Sequence, residues 1–346
     1  MNYFVGLDVS MNETAICVVD ETGKIFCESQ VPTEPRDIHE YFQKCGVLLN
    51  RVGLEASNLS IWLYRELTDM GYDVVCIETR HAKAAMAAQN VKTDRNDARG
   101  IAQMIRTGWY KAVHIKSEMS QRLKMIINSR KCLVGQRIAI ESQIRGTLKI
   151  FGMKVGEISR QSYEARVREL INGDGELEIA ITPLLAVRAL MMKQAKDLEK
   201  LLMAVAQKDP VCHLLMTAPG VGPLTALLYK ANIDDPTRFR KSKEVAVQIG
   251  LTPRKYASGE VDYNGRITKC GDHLLRNHLY EAAATVLRSS APKSALKTWG
   301  LQISKRSGTK KARVAVARKL TVIMHKMWIT GDEFRFSNDS RSRKAA

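Results

Sequence analysis

"YFVGLDVSMNETAICVVDETGKIFCESQVP", residues 3–32, decides the reading of the fold. It holds three short runs rich in β-branched and aromatic residues: YFVGLDVS (3–10), TAICVVD (14–20) and KIFCESQVP (24–32). ETG (21–23) is a turn signal, so the stretch reads as three strands of an antiparallel meander. Working outward, PRDIHEYFQKC (35–45) has helical spacing, with Ile38, Tyr41 and Phe42 on one side. RVGLEAS (51–57) reads as a buried strand, LSIWLYRELTDMG (59–71) as an amphipathic helix ending at Gly71, and YDVVCIE (72–78) as another strand.

The order β-β-β-α-β-α-β-α predicts a mixed sheet with helices on its faces, the succession of a ribonuclease-H-like fold. Two long helices follow, over about 117–150 and 183–207, joined by a polar, glycine-broken segment. They read as an antiparallel coiled-coil arm or equally as a plain helical bundle, because the heptads are imperfect. From 210 the chain reads as helix, Gly-rich turn and helix (213–232), a Gly-punctuated polar loop, then helices over 272–290 and 310–330. The fold class is α/β plus α. The expected division is a sheet domain (1–112), a long-helix region (113–208), a mainly helical domain (209–334) and a disordered basic tail (335–346).

The 346 residues are 45% hydrophobic, which excludes wholesale disorder. With 54 Lys+Arg against 36 Asp+Glu the net charge is +18, which points to a polyanionic partner. No apolar run reaches the roughly 18 residues of a membrane span, and no signal-peptide core is present, so a cytosolic nucleic-acid partner is favoured over a membrane. The seven cysteines form no CxxC pair, which argues against a zinc site or a disulfide framework.

Four acids stand out. Asp8 lies in the middle of the first strand, where an acid among apolar neighbours is costly unless it is paired, metal-bound or turned to solvent. Glu55 ends the VGLEAS strand at the rim of the sheet. Asp94 and Asp97 in VKTDRNDARG (91–100) share a helix face, where like charges repel. A helix start with Thr93 or Asp94 as N-cap also accounts for that pair. In a ribonuclease-H-like fold the four would converge at one rim. There they could hold two Mg²⁺ ions about 3.5–4 Å apart for in-line phosphodiester displacement.

GLTPRKYASGEVDYNGRITKCGDHLLR (250–276) is the second candidate. Ser258, beside Gly259 and among Arg254, Lys255, Arg266, Lys269 and Arg276, is placed to attack a phosphate. A plain basic loop accounts for it too, and Tyr256 and Tyr263 are rival nucleophiles. APGVGPLTA (218–226), with Gly220 and Gly222, is either a helix–hairpin–helix-like phosphate device or a structural turn. Residues 251–320 hold 15 Lys+Arg against 4 Asp+Glu, a net +11. The densest part is SKRSGTKKARVAVARK (304–319), with Lys310, Lys311 and Arg313, and a one-signed excess of this size reads as a phosphate-contacting surface.

GLDVS, LEAS and KTDRNDA, followed by APGVGPLTA, VAVQIGLTPRKYASG, GRITKCGDHLLR and ARKL, resemble in order and spacing the IS110 family of insertion-sequence transposases. The match covers residues 3–334, with a slight departure at EASNLSIW (55–62). The resemblance implies a RuvC-like DEDD domain binding Mg²⁺ through Asp8, Glu55, Asp94 and Asp97. It implies a transposase domain with Ser258 as the nucleophile of a transient phosphoserine–DNA link, Ser242 being a rival. It also implies a non-coding bridge RNA as guide, assembly as dimers and tetramers, and donor and target DNA as substrates in a prokaryotic cytoplasm, at the nucleoid. The competing expectations are a RuvC-like nuclease or junction resolvase using water, and a non-enzymatic nucleic-acid-binding protein. An actin-like sugar kinase, which begins similarly, is discounted because no second phosphate loop follows.

Overall fold

The computed structural model of the chain describes residues 1–87 and 91–336; residues 337–346, most of the expected basic tail, lie outside the described residues. The chain divides into two compact units, 1–115 and 116–346.

The first unit is built on five strands: β1 (Tyr3–Val9), β2 (Glu13–Asp20), β3 (Ile25–Pro32), β4 (Leu49–Glu55) and β5 (Val74–Ile77), in the order β3-β2-β1-β4-β5. The meander pairs antiparallel, while β4 joins β1 in parallel and β5 joins β4 in parallel. The parallel pairs require crossovers, and α1 (Pro35–Cys45) and α2 (Asn58–Asp69) supply them. α3 (Thr79–Met86) and α4 (Asp94–Thr107) complete the unit.

Strand alternation divides the core in two. Val5, Leu7, Ile16, Val18, Val52 and Leu54 pack on one face of the sheet with Ile38 and Phe42 of α1 and Leu63 and Leu67 of α2. Ala15, Cys17 and Val19 pack on the other face with Ala98 and Ala102 of α4. Gly6 and Gly53 are register partners on that second face. A Cβ at Gly6 would lie 2.1 Å from the Ala98 carbonyl oxygen, and one at Gly53 2.2 Å from Cγ1 of Ile105. Glu28 on β3 holds α4 from the side, accepting hydrogen bonds from Arg95 Nε (2.7 Å) and Arg99 Nη2 (2.7 Å).

The second unit begins with α5 (Glu118–Ile150), α6 (Tyr163–Ile171) and α7 (Gly175–Lys208). α5 and α7 run antiparallel: Ile127 shares a core with Leu202 and Ala206, while Ile144 and Leu148 share another with Leu177, Ile181 and Leu185. α7 starts earlier than expected, because the chain runs helically through Pro183, with Ile181 and Leu185 buried on either side. α6, in the segment read as a polar link, buries Tyr163, Val167 and Ile171 in the same distal core. Between the two cores Glu141 accepts from Arg137 (3.0 Å) and Arg188 (2.7 Å), both buried.

α8 (Pro210–Met216), α9 (Pro223–Ile233) and α10 (Ser242–Ile249) follow, then β6 (Pro253–Ser258), β7 (Val261–Ile267), α11 (His273–Val286), α12 (Ala295–Ser307) and α13 (Thr309–Thr330). The helices enclose the largest core, with Tyr229 fully buried and donating to the Thr321 carbonyl at 2.9 Å. The expectation of a polar loop after α10 is corrected, since β6 and β7 form an antiparallel hairpin. Gly259, at φ +55°, opens its two-residue turn, the position at which such turns call for glycine. Among the described residues no helix is long and apolar enough to cross a membrane.

The contact at Gly6 gives a direct test. Gly6→Ala forces a methyl group into helix backbone that has no side chain to swing aside, and is expected to cost about 3 kcal/mol or more in urea denaturation. Gly135→Ala, in exposed α5 with open space around it, is expected to stabilise by about 0.5–1 kcal/mol.

Candidate active site

Asp8 lies two residues beyond Gly6 and Glu55 two beyond Gly53, so both fall on the alternation that faces α4. β1 and β4 are parallel neighbours, and both acids stand at their C-terminal ends. α4 starts alongside, its N-cap Thr93 accepting from the Asn96 N–H at 3.2 Å, with Asp94 and Asp97 in the first turn. Of the two N-cap readings, Thr93 is the one realised.

The electrostatics tie the four acids together. Burial pushes the Asp8 carboxyl up to about 6, and repulsion from Asp97, Asp94 and Glu55 adds to the rise, opposed by Lys92. Glu55 is raised by burial and by Asp97, against the Thr79 hydroxyl, Lys92 and Lys83. The arginines of α4 do not relieve this charge, because Arg95 and Arg99 bind Glu28, which they hold down at about 2. Among the described residues no three His, Cys, Asp or Glu side chains are close enough together to hold a metal ion. The donor set nevertheless suits a hard divalent cation: all four acids offer oxygen, and the mutual repulsion at Asp8 is the kind a cation relieves. Lys92, Lys83 and Thr79 were missed in the sequence. They are ordinary surface types, and only the fold brings them to the rim.

In the second unit Ser258 ends β6, exposed, and its hydroxyl makes no hydrogen bond among the described residues. Ser242 differs. Its Oγ lies 3.0 Å from Nδ1 of buried His325, whose Nε2 lies 2.9 Å from the Pro236 carbonyl. A carbonyl only accepts, so Nε2 carries the proton and Nδ1 accepts from the Ser242 hydroxyl. His325 is 83 residues from Ser242, and no local pattern announced it.

The basic residues divide by occupation. Arg276 Nη1 is turned inward, donating to the carbonyls of Ile249 (2.9 Å), Gly271 (3.1 Å) and Cys270, and so it ties down the root of the hairpin. Lys255 pairs with Asp262 across the hairpin at 3.2 Å, and Arg313 lies 5.6 Å over the Tyr280 ring. Arg254, Arg266, Lys269, Lys310 and Lys311 are exposed. Gly220 sits where a Cβ would meet the Ala282 carbonyl oxygen at 2.5 Å, whereas Gly222 is the open N-cap of α9.

Comparison with known proteins places the chain in a family. A DEDD-transposase profile of the IS110 group, described as "Transposase", matches residues 5–153, and the profile "Transposase IS116/IS110/IS902 family" matches residues 212–298. The transposase for insertion sequence element IS1111A of Coxiella burnetii is 27% identical over 337 residues, 96% of this chain and 91% of the relative. A probable family 20 transposase of Pseudomonas aeruginosa is 27% identical over 327 residues, covering 91% and 93%. Among solved structures a ROK hexokinase from Thermus thermophilus covers 27% of this chain and 39% of its own at TM-score 0.21 and 19% identity, a likeness that carries no argument. The molecule is therefore of the transposase class, an enzyme of insertion-sequence transposition whose substrate is DNA. The chain belongs to the IS110 family.

The raised Asp8 carboxyl has a measurable consequence. The folded chain holds this proton more tightly than the unfolded chain, so stability falls as pH rises through the window from about 4 to about 6 and stays lowered above it. Asp8→Asn is expected to be more stable than wild type at pH 7.5, by about 1 kcal/mol after screening of the half-exposed group, and level with it near pH 4. Adding Mg²⁺ is expected to raise the Tm of the wild type and not that of Asp8→Asn; thermal melts with and without the ion check both.

Proposed function

We propose that this transposase cuts and rejoins DNA by serine phosphodiester exchange, with Ser258 attacking phosphorus and Asp8, Glu55, Asp94 and Asp97 holding Mg²⁺. The observation that carries the metal half is the raised Asp8, an acid whose three acidic neighbours all oppose its ionisation. The cation, when bound, would polarise the phosphoryl oxygens and stabilise the developing charge. We read the first unit as a ribonuclease-H-like, RuvC-like domain, consistent with its β3-β2-β1-β4-β5 order and the acids at the ends of β1 and β4. The long helices 113–208 are read as an arm and 209–334 as the transposase domain.

In the reaction the Ser258 hydroxyl loses its proton as Oγ bonds to phosphorus. The bond from phosphorus to a strand oxygen breaks, and that oxygen leaves as a hydroxyl. A free strand hydroxyl then attacks the phosphoserine and releases Ser258, so each step exchanges one ester for another. Exposure at a turn suits Ser258 to reaching a backbone phosphate. The bridge-RNA guide, assembly from dimer to tetramer and a place in the prokaryotic cytoplasm are carried by the resemblance; the +18 charge supports polyanion binding alone.

A second reading rests on Ser242, which has the base that Ser258 is not seen to have: the imidazole of His325 at 3.0 Å. Covalent capture decides between them. Wild type and Ser242→Ala are expected to form protein–DNA adducts and Ser258→Ala none; the reverse pattern moves the role to Ser242. Cleavage without any adduct points to a water-using resolvase. Asp8→Ala and Asp97→Ala are each expected to lower strand cleavage about a thousandfold, the loss of several kcal/mol, with DNA binding largely kept.

A further inference from the structure

The hairpin carries more than its serine. Tyr256 and Tyr263 are register partners, and their rings are stacked with centroids 5.0 Å apart and planes 18° apart. Both are exposed, 44% and 55%. The pair stands on a strand whose every residue is exposed, so its outer surface is open to a ligand. The stack is also accommodated by its strand: a Cβ at Gly265 would lie 2.8 Å from Cε2 of Tyr256, so the ring rests where residue 265 has no side chain. Along β6 alternation places Arg254, Tyr256 and Ser258 on one face. Lys255, Ala257 and Asp262 occupy the other, where the ion pair lies.

We infer that the Tyr256–Tyr263 pair is a stacking platform for an unpaired DNA base beside the phosphate that is cut. A ring face is indifferent to base identity and attracts any base that has left its stack. Within a duplex the π-faces are covered by neighbouring pairs, so the platform discriminates unpaired from paired strands. Arg254 on the same face, with exposed Arg266 and Lys269 close by in the chain, supplies charge complementary to the backbone. A base held at Tyr256 sets its own phosphate near Ser258, two residues along the same face. The platform thus positions the substrate and takes no part in bond exchange. It rests on the reading of Ser258 for its purpose, though not for its binding.

The test uses the full chain and fluorescence anisotropy with three probes of one sequence: a short fluorescein-labelled single-stranded DNA, the same strand as a blunt duplex, and a single-stranded RNA. The double variant Tyr256→Ala, Tyr263→Ala is expected to lose about tenfold on single-stranded DNA and less than about twofold on the duplex. The double Phe variant keeps both rings and is expected to bind as wild type and still form covalent adducts, which separates stacking from any role of the hydroxyls. Gly265→Val, which displaces the Tyr256 ring, is expected to share the loss. Equal losses on single strand and duplex, a loss confined to RNA, or no loss overturn the inference. Ser258→Ala is expected to bind the single strand as wild type. If it still forms adducts, the serine reading falls while the platform stands; if the double Ala variant binds normally, the platform alone falls.

Discussion

A Cβ on residue 6 would touch the carbonyl oxygen of Ala98, so α4 can lie against β1 only where residue 6 is glycine. That close approach governs the chemistry of the first unit. It sets the start of α4, and with it Asp94 and Asp97, at the height where Asp8 leaves the strand. Gly53 repeats the device one strand over and admits Ile105 beside the strand that ends at Glu55. Two missing side chains in register let α4 lie against the strands that carry Asp8 and Glu55.

The charge pattern around that meeting is asymmetric. α4 carries two arginines within reach of its own acids by sequence, yet both are drawn to Glu28 on β3. The acids are therefore left with Lys92 and Lys83, and repulsion at Asp8 persists. An acid so placed costs the fold stability when it ionises. Glu28 steadies α4 by holding Arg95 and Arg99 against β3.

Much of this was legible in the residues. The meander showed because its strands have one buried face or two, and β-branched alternation reports burial. Acids at strand ends and in a first helical turn break the apolar pattern, which is why the four stand out in the sequence. The hairpin did not show, since both its faces meet solvent and no hydrophobic alternation marks it. The sequence places the start of α7 at about Pro183, since proline is a common helix opener, and only the burial of Ile181 and Leu185 reveals that the helix is continuous. The Ser242–His325 contact is a product of tertiary packing between α10 and α13 and has no local signature. Arg276 illustrates the converse: a cation in a basic run that the fold turns inward to its own carbonyls.

The cluster of Glu141 with the buried Arg137 and Arg188, between the two cores of the long helices, has a mechanical meaning. Apolar heptads tolerate sliding by a turn, because one leucine replaces another; the buried Arg188 of α7 held by Glu141 of α5 does not, since a slip parts the guanidinium from its carboxylate. α5 and α7 are thereby locked in one alignment. With 33 residues at ~1.5 Å each, α5 is a strut of roughly 50 Å whose length does not drift. The two ends of the helix pair are thereby held at a fixed separation.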